Sequence, residues 1–187
     1  MVRRNIDYAL DSGDMAMRES RIAGMVAGGA LALLAAPPLS AQVVHDGAPT
    51  AAIAGSVTVP AGATTLYVSG LLPDPVAGTA EGDPGRWGNT EVQSRSVFAK
   101  IRAALAAKGM APGDVVMMRV YLVAPQGAST MDFAGMMTAY KEVWGTPEQP
   151  LKPARVTVQV AALAAPHYLV EVEVTAAKAP APKVPGK

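Results

Sequence analysis

The sequence predicts an α+β domain in the order β-β-α-β-α-β-β, a mixed sheet with two helices on one face. Three observations carry that expectation. Residues 153–160 and 169–174 alternate strictly between apolar and polar side chains, the period of a strand. Residues 90–109 and 129–145 instead repeat apolar side chains at helical spacing. Each helical stretch lies between strand-like stretches, as a layered helix-on-sheet domain requires.

Taken in order, residues 56–59 and 65–69 read as strands joined by Pro60-Ala61-Gly62. A Gly/Pro/Asp-rich loop follows from 70 to about 89 and includes the turn Gly82-Asp83-Pro84-Gly85. Loops of this length are usually functional or disordered. Thr90-Glu91-Val92-Gln93 fits a capping box, with Thr90 at the cap. Val97, Phe98, Ile101, Ala104 and Leu105 then line one helix face up to Gly109. Pro112-Gly113-Asp114 introduces a strand over 115–123. Ser129 or Thr130 caps the second helix, which carries Phe133, Met136, Met137, Tyr140 and Val143 and stops at Gly145. The methionines suit core filling rather than a cofactor site. Met117, Arg119 and Tyr121 alternate with Val116, Met118, Val120 and Leu122, so both faces of the central strand are fairly apolar. Two helices cover one face only, and an oligomer is the natural cover for the other.

The last two strands hold the candidate chemistry. Arg155, Thr157 and Gln159 alternate with Val156, Val158 and Val160, and Glu171 and Glu173 alternate with Val170, Val172 and Val174. Paired as a hairpin through 161–166, they put Arg155 and Glu171 on one surface. A guanidinium facing a carboxylate is an anion site with a water-handling group beside it.

Composition removes most other chemistry. The chain has no cysteine and two histidines, which excludes thiol nucleophiles, disulfides and His/Cys metal clusters. His45, in an irregular start, and His167, at a strand edge, read as surface residues. No cofactor and no metal are expected. A net charge of +1 leaves no electrostatic footprint for nucleic acid.

Residues 1–41 read as a secretory leader, with a retained N-terminal anchor as the alternative. Arg18 and Arg21 precede the apolar run 22–36, and Pro37-Pro38-Leu39-Ser40-Ala41 forms the breaker and small-residue end. Met15 or Met17 suits the start better than Met1. The run falls short of the ~20 apolar residues of a membrane span, so no stable insertion is expected after leader removal. A periplasmic or secreted location follows, which the absence of cysteine suits. The domain is assigned to 42–177 and a tail to 178–187, within an Ala/Pro/Lys stretch from Ala176 that lacks core residues.

Several motifs in this order resemble the RidA (YjgF) family, also called the L-PSP endoribonuclease family. They are Tyr67-Val68-Ser69-Gly70, Leu105…Gly109…Asp114-Val115-Val116, Met131-Asp132-Phe133…Tyr140, Pro153-Ala154-Arg155 and Leu169-Val170-Glu171-Val172-Glu173. The match spans about residues 51–177. The resemblance implies a chorismate-mutase-like fold, a homotrimer with clefts between subunits, and hydrolysis of reactive 2-imino or enamine acids to 2-oxo acids and ammonia. It implies that Arg155 clamps the substrate carboxylate, a task for which a planar fork suits two oxygens. Glu171 matches the residue that positions the attacking water, and Ser69 and Gly70 match the family's Ser-Gly. The chain departs from the family where Ser56 replaces a usual tyrosine, Met137 an asparagine, Thr157 a cysteine and Leu71 a glutamine. Ser56 and Thr157 join Ser69 and Gly70 as substrate-binding candidates in a pocket altered at its mouth and wall. The loop with Arg86 and Trp87 looks long for the family, and Trp87 either closes over the cleft or pins the loop.

Two other functions fit parts of this pattern. One is a non-catalytic periplasmic module that binds small carboxylates through Arg155, Ser69 and Gly70. The other, RNA cleavage, lacks a phosphate track and an acid–base pair.

Overall fold

The sheet that organises the domain has four strands in the order β3-β6-β4-β5. The structure is a computed structural model and describes residues 42–181. The expected leader at 1–41, its start at Met15 or Met17, and the tail beyond 181 lie outside the described residues. The elements are β1 (Val44–Asp46), β2 (Ser56–Thr58), β3 (Thr64–Leu71), α1 (Thr90–Ala106), β4 (Val115–Leu122), α2 (Phe133–Lys141), β5 (Ala154–Gln159) and β6 (Val170–Lys178). A 3-10 turn, Pro112–Asp114, leads into β4.

β6 runs antiparallel to both β3 and β4, whereas β4 and β5 are parallel. The parallel pair follows from α2, because a crossover helix returns the chain to run in the same direction. Both helices lie on one face. From α1 come Val97, Phe98, Ile101 and Leu105, and from α2 Met136, Ala139 and Tyr140. They pack on Met118, Val120 and Leu122 of β4 and Val170, Val172 and Val174 of β6. Each fully buried large side chain contributes roughly 1.5–3 kcal/mol. Phe98, Tyr140 and Trp144 form an aromatic cluster, with Trp144 5.2 Å from each partner ring. Met118 and Met136 are fully buried, as core methionines should be. This is the α+β mixed sheet with two helices that the sequence predicts.

Several local expectations are corrected. Residues 42–50 are not irregular throughout, because β1 pairs antiparallel with β2 and His45 lies in that ribbon. His45 Nδ1 sits 2.8 Å from the Lys152 carbonyl, which only accepts, so this nitrogen carries the proton. The cap of α1 is Asn89, whose side chain accepts from the Val92 amide, and Thr90 is the buried first residue of the helix. Gln93 does not reach back to a cap. It is buried, donates to the His167 carbonyl and accepts from the Leu169 amide. Asp132, not Ser129 or Thr130, caps α2 by accepting from the Gly135 amide. β6 reaches Lys178, and Ala176 and Ala177 are buried, so the stretch from Ala176 does supply core residues.

Candidate functional site

The expected hairpin does not form. β4 lies between β5 and β6, so Arg155 and Glu171 sit two strands apart. Register then fixes their faces. Arg155 pairs with Met118, which pairs with Val174, placing all three on the helix-covered face. Glu171 pairs with Tyr121, which pairs with Val158, and these face away from the helices. Within one chain Arg155 and Glu171 therefore share no surface. The physical reason is that alternation identifies two faces but not the strand's neighbour. On the edge strand β5 the polar residues turn toward α2, and Val156 and Val158 turn outward.

One half of the site surrounds Glu171. β3 carries an irregularity between Val68 and Leu71, opposite β6. It brings the Gly70 backbone against the Glu171 carboxylate so closely that any side chain at position 70 would overlap it. The glycine is required by this approach rather than by its backbone angles. Ser69 is exposed beside it. Glu173 is held: Arg119 Nη1 donates to its Oε1 at 3.1 Å and the Tyr121 hydroxyl at 3.0 Å. That hydrogen bond, with burial and the negative charge, raises the Tyr121 pKa. Glu171 has no hydrogen bond or ion pair among the described residues, which leaves its oxygens available to water or ligand.

The other half lies at the opposite edge of the sheet. The Arg155 guanidinium carbon stands 4.4 Å from the Tyr140 ring centroid and 5.8 Å from that of Phe133. It makes no ion pair with a described carboxylate. Burial lowers its pKa from the ordinary arginine value, with Tyr140 opposing, yet a guanidinium stays charged in any protein. Thr157, two residues on, shares its face and pairs with Val120. Met137 is half-buried on α2 and packs against the core. A cleft of about 380 Å³ opens where residues 47–55 pass the start of β5, bordered by Ile53, Ala54, Met117, Ala154 and Arg155. Arg155 is its one charged border residue.

Ser56, exposed in β2, belongs to the separate two-stranded ribbon. Trp87 stacks on His167 with ring centroids 3.9 Å apart and meets Tyr168 edge-on, so it pins the long loop to the segment entering β6. His167 is accordingly held under Trp87 rather than free on the surface. Tyr140 is the residue that reading the sequence missed. Its helical spacing marked it as core, and the signal that could have singled it out is its hydroxyl, since a buried phenol needs a partner. Among the described residues no group of acidic, histidine or cysteine side chains could hold a metal ion.

A family model described as Endoribonuclease L-PSP matches residues 47–178. The chain is 35% identical over 114 residues to a RutC family protein of Pyrococcus horikoshii, covering 60% of this chain and 79% of that one. Among solved structures it is similar to a member of the YjgF protein family from Neisseria meningitidis, at 27% identity over 74% of this chain and 97% of that one, with a TM-score of 0.46. TdcF of E. coli, solved with bound serine, shares 27% identity over 65% and 85%, with a TM-score of 0.47. The extent of the family match and the identity to the Pyrococcus protein show that this chain belongs to the Endoribonuclease L-PSP family, the RidA/YjgF proteins.

Proposed function

We propose that the protein hydrolyses reactive 2-imino or enamine acids to 2-oxo acids and ammonia, in sites shared between the subunits of a homotrimer. The observation that carries this reading is Arg155, a half-buried cation held by two aromatic rings with no acidic partner among the described residues. Structural buried arginines are normally paired, so an unpaired one is a seat for an anion. Glu171, unpaired over Gly70, is the second half. The two lie on opposite faces and toward opposite edges of one sheet, so the reading places Arg155 of one subunit against Glu171 of the next.

In the proposed reaction the substrate carboxylate binds Arg155. Glu171 takes a proton from the attacking water as the water oxygen bonds to the imine carbon, and returns that proton to the nitrogen, which takes the electron pair of the C=N bond. In the resulting carbinolamine Glu171 takes the hydroxyl proton and passes it to the nitrogen as the C–N bond breaks, giving the 2-oxo acid and ammonia. Imines hydrolyse readily, so positioning and one proton relay suffice. We place this activity after export, on the strength of the leader-like residues 1–41.

RNA cleavage, which the family's name suggests, finds less support. The two histidines serve structural contacts, His45 with the Lys152 carbonyl and His167 with Trp87. The half-buried Glu171 and Glu173 and a near-zero net charge make a poor phosphate track.

The test is 2-oxo acid release from 2-iminobutanoate generated in situ, by wild type and Arg155→Ala. Wild type should accelerate it, and Arg155→Ala should lower kcat/KM about a hundredfold, chiefly through KM. Wild type that is inert on imines yet binds 2-oxo acids would replace the enzyme with a carboxylate-binding module.

A further inference from the structure

Three buried polar atoms beside α2 have no hydrogen-bond partner among the described residues: Arg155 Nη1, Thr157 Oγ1 and the Tyr140 hydroxyl. Buried polar groups in native proteins are nearly always paired, and three orphans in one neighbourhood ask for a common explanation. They share that neighbourhood for structural reasons. Arg155 and Thr157 are two apart on β5 and point to the same face. The guanidinium lies over the Tyr140 ring. Each of the three can donate a hydrogen bond, and no described carboxylate pairs with any of them.

We propose that Tyr140 is a further binding residue for the substrate carboxylate, its hydroxyl joining Arg155 Nη1 and Thr157 Oγ1 in a three-donor seat. This rests on the reading of Arg155 as the carboxylate clamp. The Tyr140 and Phe133 rings hold the guanidinium through their π-faces. A ring face fixes the cation without using its N–H groups, whereas an acidic partner in the same place would occupy them. Burial pushes the Tyr140 hydroxyl up to about 12, so it remains protonated and able to donate at any ordinary pH. The Thr157 hydroxyl adds a neutral donor to the seat.

A hydroxyl that served the fold would have a partner inside it. One reserved for a ligand can be removed at no cost to folding, and that separates the two roles. The experiment measures thermal stability, the number of subunits per assembly and calorimetric binding of 2-oxobutanoate for wild type, Tyr140→Phe and Thr157→Val, with uncharged 2-oxobutanamide as control. Each variant should keep or raise Tm and keep the same number of subunits. Each should weaken 2-oxobutanoate binding about tenfold or more, as loss of a hydrogen bond to a charged group does, with no change toward the amide. Unchanged 2-oxobutanoate affinity overturns the proposal, whether Tm holds or falls, and so does a change in the number of subunits in the assembly. Imine hydrolysis run in parallel separates this from the broader reading. Weakened variants of a wild type that hydrolyses no imine keep the seat and remove the deaminase. Hydrolysis with an unchanged KM in Tyr140→Phe keeps the deaminase and removes the seat. A wild type that neither binds nor hydrolyses removes both.

Discussion

Glu171 and Glu173 point the same way from one strand, and both are half-buried, yet their surroundings differ. Glu173 is tied to Arg119 and Tyr121, and Glu171 rests against a glycine. That contrast gives Gly70 a task that its substitution can expose. In Gly70→Ala the new methyl group must displace the end of a flexible side chain, a rotamer change costing about 1 kcal/mol. Tm should therefore move little, while kcat for imine hydrolysis falls tenfold or more because the carboxylate is displaced from the attacking water. Paired Tm and kinetic measurements check both halves of that expectation. Tyr140 supplies a pH dependence. Its pKa rises on folding from the ordinary 10.0 to about 12, so between these values the folded state keeps a proton that the unfolded state has lost. The stabilisation is complete below pH 10 and is lost as pH climbs through 12, by about 3 kcal/mol at most. Denaturant titrations of wild type and Tyr140→Phe across that range should show the difference, with the variant lacking this part of the alkaline loss.

At the scale of elements, the periodicities located every major strand and helix because burial of one face imposes them. They did not locate the ends of those elements. Thr90 and Gln93 have the spacing of a capping box, but both are buried, and Asn89, one position earlier, takes the cap. Gln93 instead ties α1 to the chain entering β6 by holding one carbonyl and one amide. Local sequence cannot distinguish these uses, since the partners are more than 70 residues away. Gln93→Ala should destabilise the fold by about 2 kcal/mol in chemical denaturation, because it strands both backbone groups. Strand order was hidden for the same reason. Two alternating segments joined by ten residues suggest a hairpin, and only the parallel pairing imposed by α2 inserts β4 between them. Arg155 and Glu171 were thus found as residues, while their relation in space was read incorrectly. Tyr140 was found as a core position, while its relation to Arg155 was not visible at all.

At the scale of the whole molecule, one sheet face lies under two helices and the other has no helix over it among the described residues. Val156 and Val158 are 41% and 39% exposed there, and Tyr67 is 78% exposed. With Met117 and Tyr121 they make a partly apolar surface of the kind subunits bury. Assembly would also solve the problem set by the two half-sites, since Arg155 and Glu171 cannot meet within one chain. Subunit mixing tests this most directly. Arg155→Ala and Glu171→Gln are each expected to be inactive in imine hydrolysis. Co-refolded in equal amounts, random trimers should recover about a quarter of the wild-type activity, because one site in four then draws an intact arginine and an intact glutamate from different subunits. No recovery, in a mixture that native mass spectrometry shows to contain mixed trimers, would place both residues' work within one chain and contradict the shared site.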